Sequence, residues 1–418
     1  NVIIGAALSS GAGLLTVRST GGDTDIDATV NTTSGTVTMQ ADAGALNTTA
    51  VITSTTGAVS LTADAGTVSL GAAINTTSGA ITIDSGTSTS VDPAGDITAS
   101  GAGTVDFGTT LTGPLSTAGN VTTNAGNITF HRAVTLTGDI SVSTTALVGG
   151  NILFSDDVDG TGSGTEDLTL AAGTGSVTFA AAAPVGSGAG TELGAILVNS
   201  ALDVTFGSTV EALSYTQNAG TGTTTFDGAV TINGAGGIDI NTVDVTFNAA
   251  VGLNPGSVLI TNTGQLTLAA AADFTISAGS FTQDGAGPVL TAADIFADAG
   301  AGANGISING QLVVNGDLQL NTAASGKNIR LAASSNAYLG YTLGTAVSLN
   351  AGTGSIIIPG DLHIYIPGAV LELNSDITAA NIVLYAGTVD ANSAYDISVS
   401  EDLVILGSDY DPDDAESG

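Results

Sequence analysis

The chain has no cysteine and no tryptophan, one methionine, two histidines and only four basic residues among 418. The missing cysteines exclude disulfides, thiolate nucleophiles and cysteine-held metals. The four bases, Arg18, Arg132, Lys327 and Arg330, form no stripe. Without a basic patch there is nothing to release counterions from nucleic acid or to hold an anionic lipid surface, so neither is expected as a partner. No apolar run approaches the ~18 residues of a membrane-spanning helix. Helix formers such as Lys, Arg, Gln and Glu are scarce, whereas Thr, Val and Ile favour strands. The chain opens at Asn1 without a Met or a signal-peptide pattern, as an excised segment would. NVIIG at Asn1–Gly5 already reads as a strand.

Catalytic motifs are missing too. No G-x-S-x-G elbow occurs. His131 and His363 lie far apart, with no spacing that supports a Ser-His-Asp site, and His131, next to Phe130, is expected to point outward. Gly300–Gly305 (GAGANG) matches G-x-G-x-x-G, but a dinucleotide loop must enter a helix, and Ile306–Ile308 reads as strand.

What is abundant is Gly, Thr, Ala, Val, Ser and Asp. Acids outnumber bases 38 to 4, for a formal charge of −34. A large apolar residue recurs at Met39, Leu61, Ile83, Phe107, Phe130, Phe154, Phe179, Phe206, Phe226, Phe247 and Leu268. The spacings are 22, 22, 24, 23, 24, 25, 27, 20, 21 and 21 residues. Each sits in a short V/I-x-F-type unit. Ser34–Met39 (SGTVTM), Thr56–Leu61 (TGAVSL) and Ser78–Ile83 (SGAITI) show the unit most clearly: a Gly turn, then alternation that puts Val37 and Met39 on one face and Thr36 and Thr38 on the other. Such a period describes a chain winding in coils of 20–27 residues, each with two or three strands and Gly/Asp/Asn corners. One coil cannot bury its own apolar face and must stack on neighbours at ~4.8 Å. The expected fold is all-β, a parallel β-helix or β-solenoid with an internal apolar column.

Three regions follow. Residues 1–297 are a regular solenoid with a Phe/Ile/Val core. Residues 298–408 are a less regular continuation or a junction: all ten Phe precede it, and six of the seven Tyr lie beyond 297. Residues 409–418 (DYDPDDAESG) are an acidic tail or linker.

The cadence of Asn127–Val142, V-x-F/L followed by V-x-L-x-G-D-I-x-V, resembles the repeat regions of bacterial filamentous-haemagglutinin-type and autotransporter-type surface proteins. The resemblance covers most of the chain, especially residues 30–290. It implies a right-handed parallel β-helix, exported and used for adhesion or cell-surface structure. An N-terminal secretion cap and a C-terminal membrane barrel are not seen.

The function expected is non-enzymatic: an extracellular or cell-surface rod, serving as adhesin stalk, surface-layer component or fibre subunit. Open strand edges at its ends invite head-to-tail self-association. The alternatives are a carbohydrate-active β-helix enzyme and a receptor-binding adhesin module that meets host-cell or surface carbohydrate. Paired carboxylates at Asp156, Asp157 and Asp159 could serve such an enzyme as acid and base. Receptor contacts would sit on the insertions Gly160–Asp167 and Gly186–Leu193. Calcium is the expected cofactor. Asp23, Asp25 and Asp27 alternate along one strand and share a face, while Asp409, Asp411, Asp413 and Asp414 approximate a D-x-D-x-D loop without the EF-hand Gly and Glu. A high-salt habitat is the competing explanation of the acidity. Asn-x-Thr sequons occur at Asn31, Asn47, Asn75, Asn120 and Asn127.

Overall fold

The computed structural model describes residues 1–144, 149–299, 302–331, 337–339, 347–360, 362–373, 375–391 and 396–406. The chain divides into two compact units, Asn1–Gly222 and Thr223–Gly418. Every described element is a β-strand, and the ladders are parallel, so each unit is a stretch of β-solenoid with about 22 residues per turn.

In the first unit each coil up to Phe179 holds three strands, one in each of three ladders. One coil comprises Thr24–Ile26, Val30–Thr32 and Val37–Ala41; the next repeats it as Leu46–Thr48, Ile52–Ser54 and Val59–Ala63. Most are only three to five residues long, because a corner follows each one. Period-2 alternation puts Val37, Met39 and Ala41 inside and Thr38 and Gln40 outside. The recurring large residue lies in the third ladder in unbroken register: Met39 opposite Leu61, Leu61 opposite Ile83, Ile83 opposite Phe107, and on through Phe130, Phe154, Phe179 and Phe206. The rings of Phe107, Phe130, Phe154, Phe179 and Phe206 stack with centroids 4.6 to 5.0 Å apart and planes within 8° of parallel. The coil rise of about 4.8 Å sets that spacing. Tyr215, fully buried, meets Phe206 edge-on with centroids 5.6 Å apart.

The turn between second and third ladders explains the T-x-x-G pattern. The Thr32 hydroxyl donates to the Gly35 carbonyl at 2.9 Å, and Thr76 does the same to Gly79 at 2.6 Å. These glycines stack as well. A Cβ on Gly79 would run into the Gly57 carbonyl, and one on Gly57 into that of Gly35. Backbone of one coil lies directly on backbone of the last, and only hydrogen fits between them.

The second unit uses the same plan with looser corners. Val251–Leu253, Val258–Asn262 and Leu266–Leu268 form one coil. The third-ladder column runs Phe226, Phe247, Leu268, Thr291, Val314. Phe226 and Phe247 stack at 4.8 Å, but Phe274 and Phe281, from the first and second ladders, meet their neighbours edge-on. The strands Val230–Thr242 and Leu362–Leu373 each run through a corner and pair in two ladders. Strands beyond 297 pair in parallel with those before it, Leu312 opposite Val289 and Ile306 opposite Phe281.

Candidate functional site

The acids were the main candidates, and their positions follow from the corners. An Asp or Asn commonly occupies the residue just before a strand. Its side-chain oxygen accepts the backbone N–H of the matching residue one coil on. Asp96 takes Asn120 N–H and Asn120 takes Ser141 N–H; Asn127 takes Asn151 N–H and Asn151 takes Ser176 N–H. In the second unit Asp244 takes Gln265 N–H, Asp376 takes Asp396 N–H and Asn381 takes Asp402 N–H, all at 2.6 to 3.0 Å. A corner N–H has no ladder partner of its own, so this acceptor satisfies a polar group that would otherwise be costly where it is buried. Sequence reasoning treated Asp as a turn residue and cation ligand and missed this role. The readable signal was Asp or Asn returning before successive strands at one-coil spacing.

Asp23, Asp25 and Asp27 do share the outer face of the strand Thr24–Ile26, whose Thr24 and Ile26 point inward. Each carboxylate is engaged with the next coil: Asp23 with Ala45 N–H at 2.9 Å, Asp25 with the Asn47 amide at 2.8 Å, Asp27 with the Thr49 hydroxyl at 2.9 Å. Among the described residues no three acidic or imidazole groups gather in metal-ligating geometry. Asp409, Asp411, Asp413 and Asp414 lie outside the described residues.

Asp273, Asp294 and Asp317 stand above one another on successive coils of the second unit. With Ala270, Ala292 and Gly316 they line an open cleft of about 280 Å³. Asp294 N–H donates to Asp273 at 2.9 Å, and Gln319 N–H donates to Asp294 at 2.6 Å. Desolvation raises Asp294 above the ordinary carboxylate range, with repulsion from Asp273 and Asp317 adding to it; the Gln319 bond opposes both.

Asp156, Asp157 and Asp159 also form a cluster. Asp157 is raised by desolvation and then by repulsion from Asp156 and Asp159. Thr191 Oγ1 donates to Asp159 at 3.2 Å. Arg18 pairs with Asp42 at 2.8 Å and His131 lies 3.9 Å from Asp106, both away from this cluster. His131 is partly exposed on the outer face, as its position after Phe130 requires.

The two insertions are copies of one seven-residue element, G-x-G-x-G-T-E, at Gly160–Glu166 and Gly186–Glu192. They lie one coil apart and bond to each other: Gly160 N–H to Thr191 O and Gly164 N–H to Glu192 O, each at 2.9 Å. Glu166 is buried and accepts the Thr161 hydroxyl at 2.5 Å and the Thr161 N–H at 3.1 Å. Burial pushes its carboxyl upward, but the bonds from Thr161, Thr165 and Gly162 outweigh that and hold it below the usual range. The GAGANG segment leads into the strand Asn304–Ile308 rather than a helix, so it lacks the dipole end that a phosphate loop needs.

Neither protein-family models, curated proteins nor solved structures include any that match this chain.

Proposed function

We propose that this chain is a non-enzymatic structural protein, an exported β-solenoid that serves outside the cell as stalk, surface-layer component or fibre subunit of the filamentous-haemagglutinin or autotransporter kind. The observation that carries this reading is where the acids go. Corner carboxylates are spent on coil-to-coil hydrogen bonds, from Asp96 to Asp376, so the element that looked most chemical is part of the stacking itself. End-to-end self-association is the partner relation proposed, with surface carbohydrate as a further contact. Calcium and other cations act as counter-ions to the charge of −34, with the Asp273–Asp294–Asp317 cleft as one acidic surface they would meet.

Two measurements test this. Antibodies to the chain should label the exterior of producing cells and threads shed from them; label confined to the cell interior refutes export. The purified chain should release no reducing ends or unsaturated products from acidic polysaccharides. The raised Asp157 beside Asp156 and Asp159 is the one feature that favours a lyase or hydrolase. Sugar release that Asp157→Asn abolishes would establish that second reading. For calcium, millimolar additions should raise the melting temperature more than sodium chloride of equal ionic strength.

A further inference from the structure

We propose that Asn31 and Asn75 are the glycan acceptors of the folded chain, each taking a diphosphate-activated sugar onto its amide nitrogen. Five Asn-x-Thr sequons occur, all between Asn31 and Thr129. Hydrogen bonding in the fold separates two of them from the other three.

Asn31, Asn47 and Asn75 head the same tripeptide, N-T-T, and each is the outward middle residue of a three-residue strand. Their surroundings differ. Asn47 donates its amide to Asp25 at 2.8 Å, and Thr49 donates its hydroxyl to Asp27 at 2.9 Å. Both side chains that define the sequon are thereby tied to the preceding coil. Asn31 and Asn75 lie in the second ladder, where the residues beside them are Ser9, Thr53 and Thr98. None of these is an acid. Among the described residues the side chains of Asn31, Thr33, Asn75 and Thr77 make no hydrogen bond. Thr32 and Thr76 turn inward and are buried, which leaves Asn31 with Thr33, and Asn75 with Thr77, on the outer side. Each pair has a coil above it and a coil below it.

Asn120 and Asn127 are exposed, so exposure alone does not sort the five. Asn120 accepts Ser141 N–H at 2.8 Å and donates to Asp96 at 3.2 Å. Asn127 accepts Asn151 N–H at 2.8 Å. These are corner bonds. Drawing either amide into an enzyme would leave a backbone N–H without its acceptor.

The transfer is a substitution at the anomeric carbon of the sugar. The asparagine Nδ2 forms the bond to C1. The C1–O bond to the diphosphate breaks and its electron pair leaves with the diphosphate. The amide gives up one proton, and nothing is oxidised or reduced. Two coils, about 10 Å, separate the acceptors, with Thr53 between them, so the glycans stand on alternate coils.

The folded full-length chain is the substrate of the test. One portion is incubated with a soluble N-glycosyltransferase and a nucleotide-diphosphate hexose. Another receives an oligosaccharyltransferase and a lipid-diphosphate oligosaccharide. Peptide mass spectrometry reads occupancy at each sequon over time. Asn31 and Asn75 should fill in at least one portion, and that portion identifies the carrier of the sugar. Asn47 should fill at least about tenfold more slowly, because its amide must first leave a charge-assisted bond. Asn120 and Asn127 should lag in the same way. Asp25→Ala combined with Asp27→Ala releases Asn47 and Thr49 without touching the tripeptide. In that variant Asn47 should rise to the rate of Asn31 while Asn120 and Asn127 stay slow, a pattern that general unfolding would not produce. Asn31 and Asn75 vacant in both portions overturn the proposal. So does a parent chain in which all five fill at one rate, or a double variant in which Asn47 stays vacant. Export and sugar release keep their own tests, which none of these outcomes decides.

Discussion

Phe179 sits fourth of five rings in the first unit's stack, with Phe154 and Phe206 each 4.7 Å away. It is wholly buried. Replacing it by alanine removes a ring from a layer whose backbone is pinned by coils on both sides, so the cavity cannot collapse. The expected loss is about 3–5 kcal/mol, the range for a buried phenylalanine. Two ring pairs contribute to it, each worth about 0.5–1.5 kcal/mol beyond the area buried. Phe107, at the end of the stack, faces one ring and rests on Ile83, so Phe107→Ala should cost less by about one such pair. Phe179→Leu keeps most of the volume and should cost about 1–2 kcal/mol, since Leu61 and Leu268 fill the same slot elsewhere. Coils touch mainly their neighbours, so the damage is local, and amide hydrogen exchange is the right assay beside urea denaturation. Strands Ile152–Phe154, Val177–Phe179 and Val204–Phe206 should exchange faster by about a thousandfold for a loss near 4 kcal/mol, at 1.4 kcal/mol per factor of ten. Exchange within tenfold of the parent would refute the packing argument.

Gly79→Ala should destabilise by about 1–3 kcal/mol or more, because the new methyl meets the Gly57 carbonyl and not a movable side chain; a melting temperature within a degree of the parent would count against the stacked-corner reading. Glu166→Gln should cost about 1–3 kcal/mol by weakening the charge-assisted bonds from Thr161. Glu166 titrates low in the fold, so its contribution is present above the unfolded glutamate range and is lost as pH falls through its folded value. Parent and variant should therefore converge in stability in acid, as urea midpoints across pH will show. Asp294 has the opposite sign. Its raised value means that ionisation opposes folding, so stability is present at low pH and is lost as pH rises through the folded value. Asp294→Asn should raise the melting temperature at neutral pH and not in acid, and added salt should shrink the gap; a variant less stable at neutral pH would show that the Gln319 bond outweighs the repulsion.

Much of this fold was legible because one physical rule dominates each position in a coil. Bulk is required at the third-ladder slot and little else is, so Met39, Leu61, Ile83 and the phenylalanines could be aligned by eye, and their pairing follows that alignment residue for residue. The first-ladder strands were harder to read. Thr24–Ile26 carries alternating acids, and nothing local says whether those carboxylates face a cation or the Asn47 amide one coil away. That answer depends on which residue lies ~4.8 Å along the stack, which a linear reading reaches only after the register is known. The insertions were recognised as interruptions, but the shared G-x-G-x-G-T-E passed unnoticed, and with it the bonds by which one copy holds the other.

The corner bond has a consequence for how such a chain changes over generations. Asp96 to Asn120 and Asn127 to Asn151 are the same bond made by different residues, and each links a coil only to the next. Duplicating or deleting one whole coil therefore leaves every remaining bond with a partner of the right kind. Losing a single residue within a coil shifts a strand by one and turns its apolar face outward. Length is thus inherited in quanta of about 22 residues. Recombination between near-identical coils, such as those around Val37 and Val59, can retune the reach of the protein without redesigning its interior.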